Sequence, residues 1–216
     1  ITGLLFIAPI TVILAVFLFY PILQSLYYSL TDWKGIGAYS FVGLANYADI
    51  FRDDIFRESL VRTLYVGLAV ALLANLLGLL FAMMLDRRLK TKSLMRALFY
   101  IPNVIPIVVS AFVWRYILDA NSGLLNLGLS EATGSRTTIP WIDSPEYVLY
   151  SIIAISVWQM WGPIMIVYLA ALQGVPHEMK EAAMIDGASV WNRFRNVTVP
   201  MIAPSITVNV LIGLAN

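Results

Sequence analysis

Three groups of residues in this chain carry chemistry other than apolar packing. The largest is "HEMKEAAMIDGASVWNRFRNVTVPMIAPS", residues 177–205, which gathers acids, bases, small residues and one internal glycine between two apolar runs. The second is Trp158, Gln159 and Trp161 inside an apolar run. These three suit either stacking and hydrogen bonding to a polar solute such as a sugar ring or packing in a helix bundle. The third is Asn75, alone among small and aliphatic neighbours. Little here suits catalysis. The chain has no cysteine and a single histidine, His177, so thiolate sites are excluded and no metal site of the usual ligand types is expected. It lacks a G-x-x-x-x-G-K-[ST] loop for cradling phosphates and a serine, histidine and acid constellation. The expectation is a binding and transmitting protein, with no catalytic residue, no metal and no cofactor of its own.

The elements that must position these groups are membrane helices. Of 216 residues, 60% are hydrophobic and 12% charged, whereas soluble domains carry about 25% charged residues. The formal net charge of +1 points to neither a nucleic-acid partner nor an acidic substrate. Four stretches reach the roughly 20 apolar residues a span needs, at about 3–29, 61–85, 97–118 and 147–172. A fifth starts near Met201 and runs to residue 216. The first stretch lacks a basic n-region and a small-residue cleavage site, which favours a span over a signal peptide. The start at Ile1 and the stop at Asn216 within an apolar run suggest a fragment. The fold class expected is all-α, a polytopic helical bundle forming a single transmembrane domain over 1–216.

Charge asymmetry orients the spans. Between spans two and three, Arg87, Arg88, Lys90, Lys92 and Arg96 face one acid, Asp86. Between spans three and four, only Arg136 stands against Asp119, Glu131, Asp143 and Glu146. The first loop is therefore cytoplasmic and the second external. It follows that the segment at about 30–60 is external and the stretch 173–200 cytoplasmic.

Within the spans, Gly67, Ala71, Asn75, Gly78 and Ala82 form a small and polar stripe at helical spacing, suited to close helix approach, with Asn75 bonding across the contact or lining a solute path. Pro102 and Pro106 in span three, and Pro163 after Gly162 in span four, predict bends, which often line a pathway. Arg115 either reaches the interface or pairs with Asp119, and pairing is the plainer expectation.

The stretch 176–200 reads as two short helices. Pro176 starts the first, with Glu178 and Glu181 in its early turns, and Gly187 ends it as a left-handed residue. Ser189 caps the second, whose apolar residues Val190, Trp191, Phe194 and Val197 oppose Asn192, Arg193, Arg195 and Asn196; Pro200 is expected to stop it. Such an elbow is either an interfacial anchor or a docking surface for a soluble partner. Glu178, Glu181 and Asp186 spoil the basic face of an anchor and favour docking.

Glu181, Ala182 and Ala183, with Gly187 four positions on and then Val197, Val199 and Pro200, resemble the EAA loop in permease subunits of binding-protein-dependent ABC importers. The family prefers isoleucine and leucine where valines stand at 197 and 199. "FVGLANYADIF" at 41–51, "WRYILDANSGLLN" at 114–126 and "EAAMIDGAS" at 181–189 are similar to its carbohydrate-uptake branch. The resemblance implies six spans in a complete protein. It also implies docking of the first elbow helix into a separate ATP-binding subunit, one of a pair using ATP and Mg. Under it, Glu181 anchors the dock, Ala182 and Ala183 permit close approach, Gly187 sets the elbow angle, and Asp186 and Pro200 belong to the same loop. A second related permease, an extracytoplasmic sugar-binding protein and a bacterial or archaeal cytoplasmic membrane are implied as well. The outer segments 31–57 and 119–146 are the expected surfaces for the capture protein.

The resulting expectation is the translocation subunit of an ATP-driven sugar importer. A permease for glycerol-phosphate or another polyol is an alternative. A phosphate-bearing solute would call for mid-span arginines, and spans one to four show none. An ion-coupled secondary carrier is disfavoured, because those spans hold no Asp, Glu or His away from their ends.

Overall fold

Long runs of Leu, Val, Ile and Ala leave the backbone no better partner in an apolar medium than itself. The described residues are accordingly helical, with one isolated bridge, Thr31 to Phe41, and no strand among them. The computed structural model describes residues 2–87 and 90–215; Ile1, Leu89, Asn216 and the loop residue Arg88 lie outside the described residues. The chain forms two compact units, Ile1–Arg62 and Thr63–Asn216.

In the first unit, α1 (Thr2–Leu14) runs through a π-helical segment (Ala15–Phe19) into α2 (Tyr20–Tyr28). Phe6–Tyr28 is long and apolar enough to cross a membrane, and its side chains from 6 to 27 are exposed in the chain alone. The connection that follows is tied by polar groups. The Asp32 carboxylate accepts from the Ser40 N–H at 2.6 Å and hydroxyl at 2.7 Å, which hold its pKa below the usual carboxylate value. Asn46 Nδ2 donates to the carbonyls of Ser29 and Thr31 at 2.9 and 2.7 Å. Tyr28 stacks on Trp33 with Tyr39 edge-on to both. After α3 (Ala45–Arg52), Asp53 caps α4 (Asp54–Leu85) by accepting from the N–H groups of Ile55 and Phe56.

The second unit holds the core. Val70, Ala71, Ala74, Asn75, Gly78, Ala82 and Leu85 of α4 are buried, a face at the three-and-four spacing of one helix side. The anticipated small stripe is therefore the contact face except at Gly67, which has open space beside it. Gly78 receives Ile164 of α8 (Val148–Gln173), and Ala71 meets Gly213 of α11 (Val199–Ala215). Ile164, Met165, Tyr168, Leu169, Leu172 and Ile202 fill the space between these three helices. α5 (Lys92–Val104) lies against α8 where Gly162 meets the Phe99 backbone so closely that an added Cβ would overlap the Phe99 carbonyl oxygen. α8 itself runs unbroken through Pro163.

The third span is broken where its prolines predict a bend. α5 and α6 (Ile107–Ile117) meet at 95° across Ile105 and Pro106. The proline ring disfavours the helical conformation for the residue before it, and Ile105 is extended at ψ 124°. Pro102, by contrast, lies within α5 without ending it. The connection between α6 and α8 contains α7 (Leu124–Thr133), organised by the buried Asn126. Its Nδ2 donates to the carbonyls of Ala120 and Ile139, and its Oδ1 accepts from Trp141 Nε1. Asp119 turns its carboxylate to Asn121 and Ser122 instead of pairing with Arg115. Three short hydrogen bonds to adjacent groups outweigh one ion pair at an exposed position, and they lower its pKa, with Arg115 a weaker contributor.

Pro200 does not stop the last helix. Val190–Leu214 is one span-length helix comprising α10 (Val190–Arg193), a π segment (Phe194–Thr198) and α11. The Val199 N–H reaches back five residues to the Phe194 carbonyl, widening the helix just before the proline. Tyr20 does the same to Ala15 just before Pro21. A proline lacks the N–H and crowds the carbonyl four residues back; the extra residue in the π turn relieves both, so the helix continues.

Candidate functional site

The elbow is built by local rules. Pro176, extended at ψ 134°, precedes α9 (His177–Ile185). At its end Gly187 has φ +74°, the Ala188 N–H reaches the Ala183 carbonyl at 3.0 Å and the Gly187 N–H reaches Met184 at 3.1 Å. These two bonds are the Schellman closure of a helix, which needs a left-handed residue at the glycine position. Ser189 then caps α10, its hydroxyl accepting from the Asn192 N–H at 3.2 Å. The two helices are thus joined by a hydrogen-bonded turn rather than a free loop.

The elbow presents more apolar surface than polar chemistry would choose. Ile185 is 87% exposed, Val190 75% and Trp191 64%, with Met179 and Met184 also open. Glu181, Ala182, Asp186, Gly187 and Pro200 are exposed, and Ala183 is half-buried. Behind them is a groove of about 510 Å³ between the C-terminal end of α4 and the elbow. Arg193 lines it with His177, Lys180 and Glu181 instead of pointing outward as its position in the sequence suggested. Across the groove Lys180 Nζ approaches Asp86 Oδ2 at 3.9 Å, so the basic loop and the elbow lie at the same end of the second unit.

The in-span residues separate into three places. Gln159 donates through Nε2 to Ser110 Oγ at 3.0 Å and lines a cavity of about 480 Å³ beside the helix break at Ile105 and Pro106. Asn103 and Ser156 add its other polar side chains, and Pro163 and Ile164 its apolar floor. Trp158 is next to this group but turned to Trp114, edge to face at 5.3 Å. Trp161 packs against Phe81 and Phe99, away from the cavity lining. Asn75 is buried in a network of its own: it accepts from the Tyr168 hydroxyl at 2.7 Å and donates to the carbonyls of Ala71 and Asn209. Asn209 in turn donates to the Ile164 carbonyl at 3.3 Å. That geometry ties α4, α8 and α11 together and leaves Asn75 apart from Gln159.

Asn103, Ser110, Ser156, Tyr168 and Asn209 were not singled out from the sequence. Each is a polar residue inside an apolar run, which is the signal that marked Asn75 and Gln159. The pairings of Ser110, Tyr168 and Asn209 join residues 45 to 134 positions apart, and no local pattern reveals those.

Residues 74–216 match the family model for the inner membrane component of binding-protein-dependent transport systems. The chain belongs to that family. The match begins one residue before Asn75 and takes in the helix break, the cavity and the whole elbow. A probable starch degradation products transport system permease, AmyD of Thermoanaerobacterium thermosulfurigenes, is 34% identical over 98% of this chain and 71% of its own length. The trehalose/maltose transport system permease MalF of Thermococcus litoralis is 32% identical over 97% of this chain and 71% of its own length. The fold superposes with a TM-score of 0.80 on a bacterial alginate ABC transporter solved in complex with an alginate pentasaccharide-bound periplasmic protein. That match has 24% identity and covers 97% of this chain and 69% of the other. As a permease of this family, the chain is an all-α, multi-pass membrane protein of a binding-protein-dependent importer, and its elbow carries the spaced residues expected of the EAA loop.

Proposed function

We propose that this chain is the translocation subunit of an ATP-driven sugar importer in the cytoplasmic membrane of a bacterium or archaeon. Solute arrives from an external binding protein. The energy comes from a separate pair of ATP-binding subunits that consume ATP and Mg, and the chain itself is non-catalytic. A second related permease completes the pore. The observation that carries this reading is the exposed apolar surface of the elbow, Ile185, Val190 and Trp191 around Ala182 and Gly187. Apolar groups of this size at a polar membrane face call for a protein partner. The basic residues Arg87, Lys90 and Lys92 at the same end support a cytoplasmic position for that partner.

The solute class follows from the cavity. Its polar groups are the amides of Asn103 and Gln159 and the hydroxyl of Ser156, all uncharged donors and acceptors that suit hydroxyl groups. The starch-product and trehalose/maltose permeases among its relatives support a sugar. Glu181 anchors the ATP-binding subunit by polar contact, Ala182 and Ala183 allow its close approach, and Gly187 fixes the angle.

The test is reconstitution of the full-length protein with its co-purifying ATPase and capture protein, followed by a screen of sugars and polyols for stimulated ATP hydrolysis. The reading expects one class of sugar to stimulate. Failure of any ATPase to co-purify, with no response to any solute, overturns it.

A further inference from the structure

Asp86 is the single acid in a loop that otherwise carries Arg87, Arg88, Lys90, Lys92 and Arg96, and nothing in the docking or solute chemistry above uses it. Its place is fixed by the end of α4, because its N–H closes on the Ala82 carbonyl at 2.8 Å. Lys180 belongs to α9, one residue before Glu181. Of the ion pairs among the described residues, Arg57 with Asp54 and Arg62 with Glu58 are local to one helix. Asp86 with Lys180 joins two elements 94 positions apart in sequence. Both side chains are a little under one-third exposed, at 28% and 30%, so the pair is partly shielded from solvent.

α9 enters through the turn at Pro176 and leaves through the turn at Gly187. An electrostatic tie from its middle to the end of α4 adds a third point of attachment. Without Asp86, the Lys180 ammonium would share the groove with Arg193 and have only Glu181 as a nearby acid.

We propose that Asp86 and Lys180 form a positioning latch that sets α9 against α4 and carries part of the movement from the ATP-binding subunit directly into the second span. This rests on the reading of α9 as the docking helix. The pair acts through α9 and touches neither solute nor nucleotide.

The test uses the full-length complex in proteoliposomes, with uptake and ATP hydrolysis measured together. Asp86→Asn and Lys180→Gln should each lower solute moved per ATP by about twofold to fivefold, the range of a partly exposed ion pair. The double variant should be no worse than either single. Raising NaCl to about 0.5 M should bring the wild type toward the variants and leave the variants unchanged. Wild-type uptake per ATP in the singles, or losses that multiply in the double, would overturn the latch. A wild-type complex that holds no ATPase would instead overturn the docking reading beneath it.

Discussion

Substitution at Gly187 perturbs the elbow and touches nothing else, since no heavy atom lies within 4 Å of where a Cβ would stand. The cost is therefore conformational. An L-residue held in the left-handed region loses roughly 1–2 kcal/mol relative to its preferred state. A residue that escapes to negative φ instead forfeits the two closing bonds, Ala188 to Ala183 and Gly187 to Met184, at about 1 kcal/mol each. Both routes give a similar figure. A penalty of one or two kcal/mol lowers the ratio of closed to open joint by a factor of about 5–30. Asparagine tolerates the left-handed region, alanine less so, and a β-branched residue is a genuine outlier there.

The expected order of uptake per ATP is Gly187, then Asn, then Ala, then Val, with Gly187→Val retaining less than about one-fifth of wild-type coupling. The assay is uptake and ATP hydrolysis in reconstituted complexes, with co-purification checking assembly. An Asn variant as defective as Val would show that volume, not backbone conformation, matters. A Val variant that assembles and imports at the normal rate would refute the role given to the joint.

Three further outcomes follow from the geometry. Tyr168→Phe removes the hydroxyl from Asn75 and should cost about 0.6–1.7 kcal/mol of stability in detergent unfolding, with solute affinity unchanged. Gln159→Leu removes the amide at the cavity and its bond to Ser110, and should raise the KM for solute while leaving basal ATP hydrolysis intact. The Asp119 carboxyl, held low by Ser122 and Asn121, stabilises its turn above the ordinary carboxylate pKa. That contribution begins to fall as pH drops through about 4, the ordinary carboxylate value, and is gone once pH is below the depressed value. Limited proteolysis of segment 119–146 should therefore stay slow until below pH 4 and then accelerate, and Asp119→Ala should be cut faster at neutral pH without that acid step.

How much of this was legible in the sequence depended on the range of the interaction involved. Ser189, Gly187 and Pro176 act on groups within five residues, and each does what its position suggested. The stripe on α4 was readable because spacing alone puts Ala71, Asn75, Gly78 and Ala82 on one face. The partner of Asn75 was not, because Tyr168 is 93 residues away and tyrosine is ordinary in a membrane helix. The cavity escaped in the same way: Ser110 and Gln159 meet only because α6 turns 95° from α5. Two prolines four residues apart, Pro102 and Pro106, announced a bend, but which of them broke the helix was decided by tertiary context.

Pro200 is where the local reading and the structure part most usefully. A helix stopped at Pro200 would make the second half of the elbow a separate piece, and a second turn would lie between α9 and the fifth span. The π segment Phe194–Thr198 supplies the extra residue that the proline needs, and the helix runs from Val190 to Leu214 without a joint. Ser189 therefore caps the fifth span itself, and Gly187 is the left-handed residue of the turn between α9 and that span. The same helix that starts at Ser189 carries Asn209 and Gly213, which contact α8 and α4, so a movement imposed on α9 would meet the bundle through one continuous helix. On this geometry the glycine sets the angle between α9 and the fifth span, and the sensitivity expected at Gly187 arises from the left-handed conformation that this angle requires.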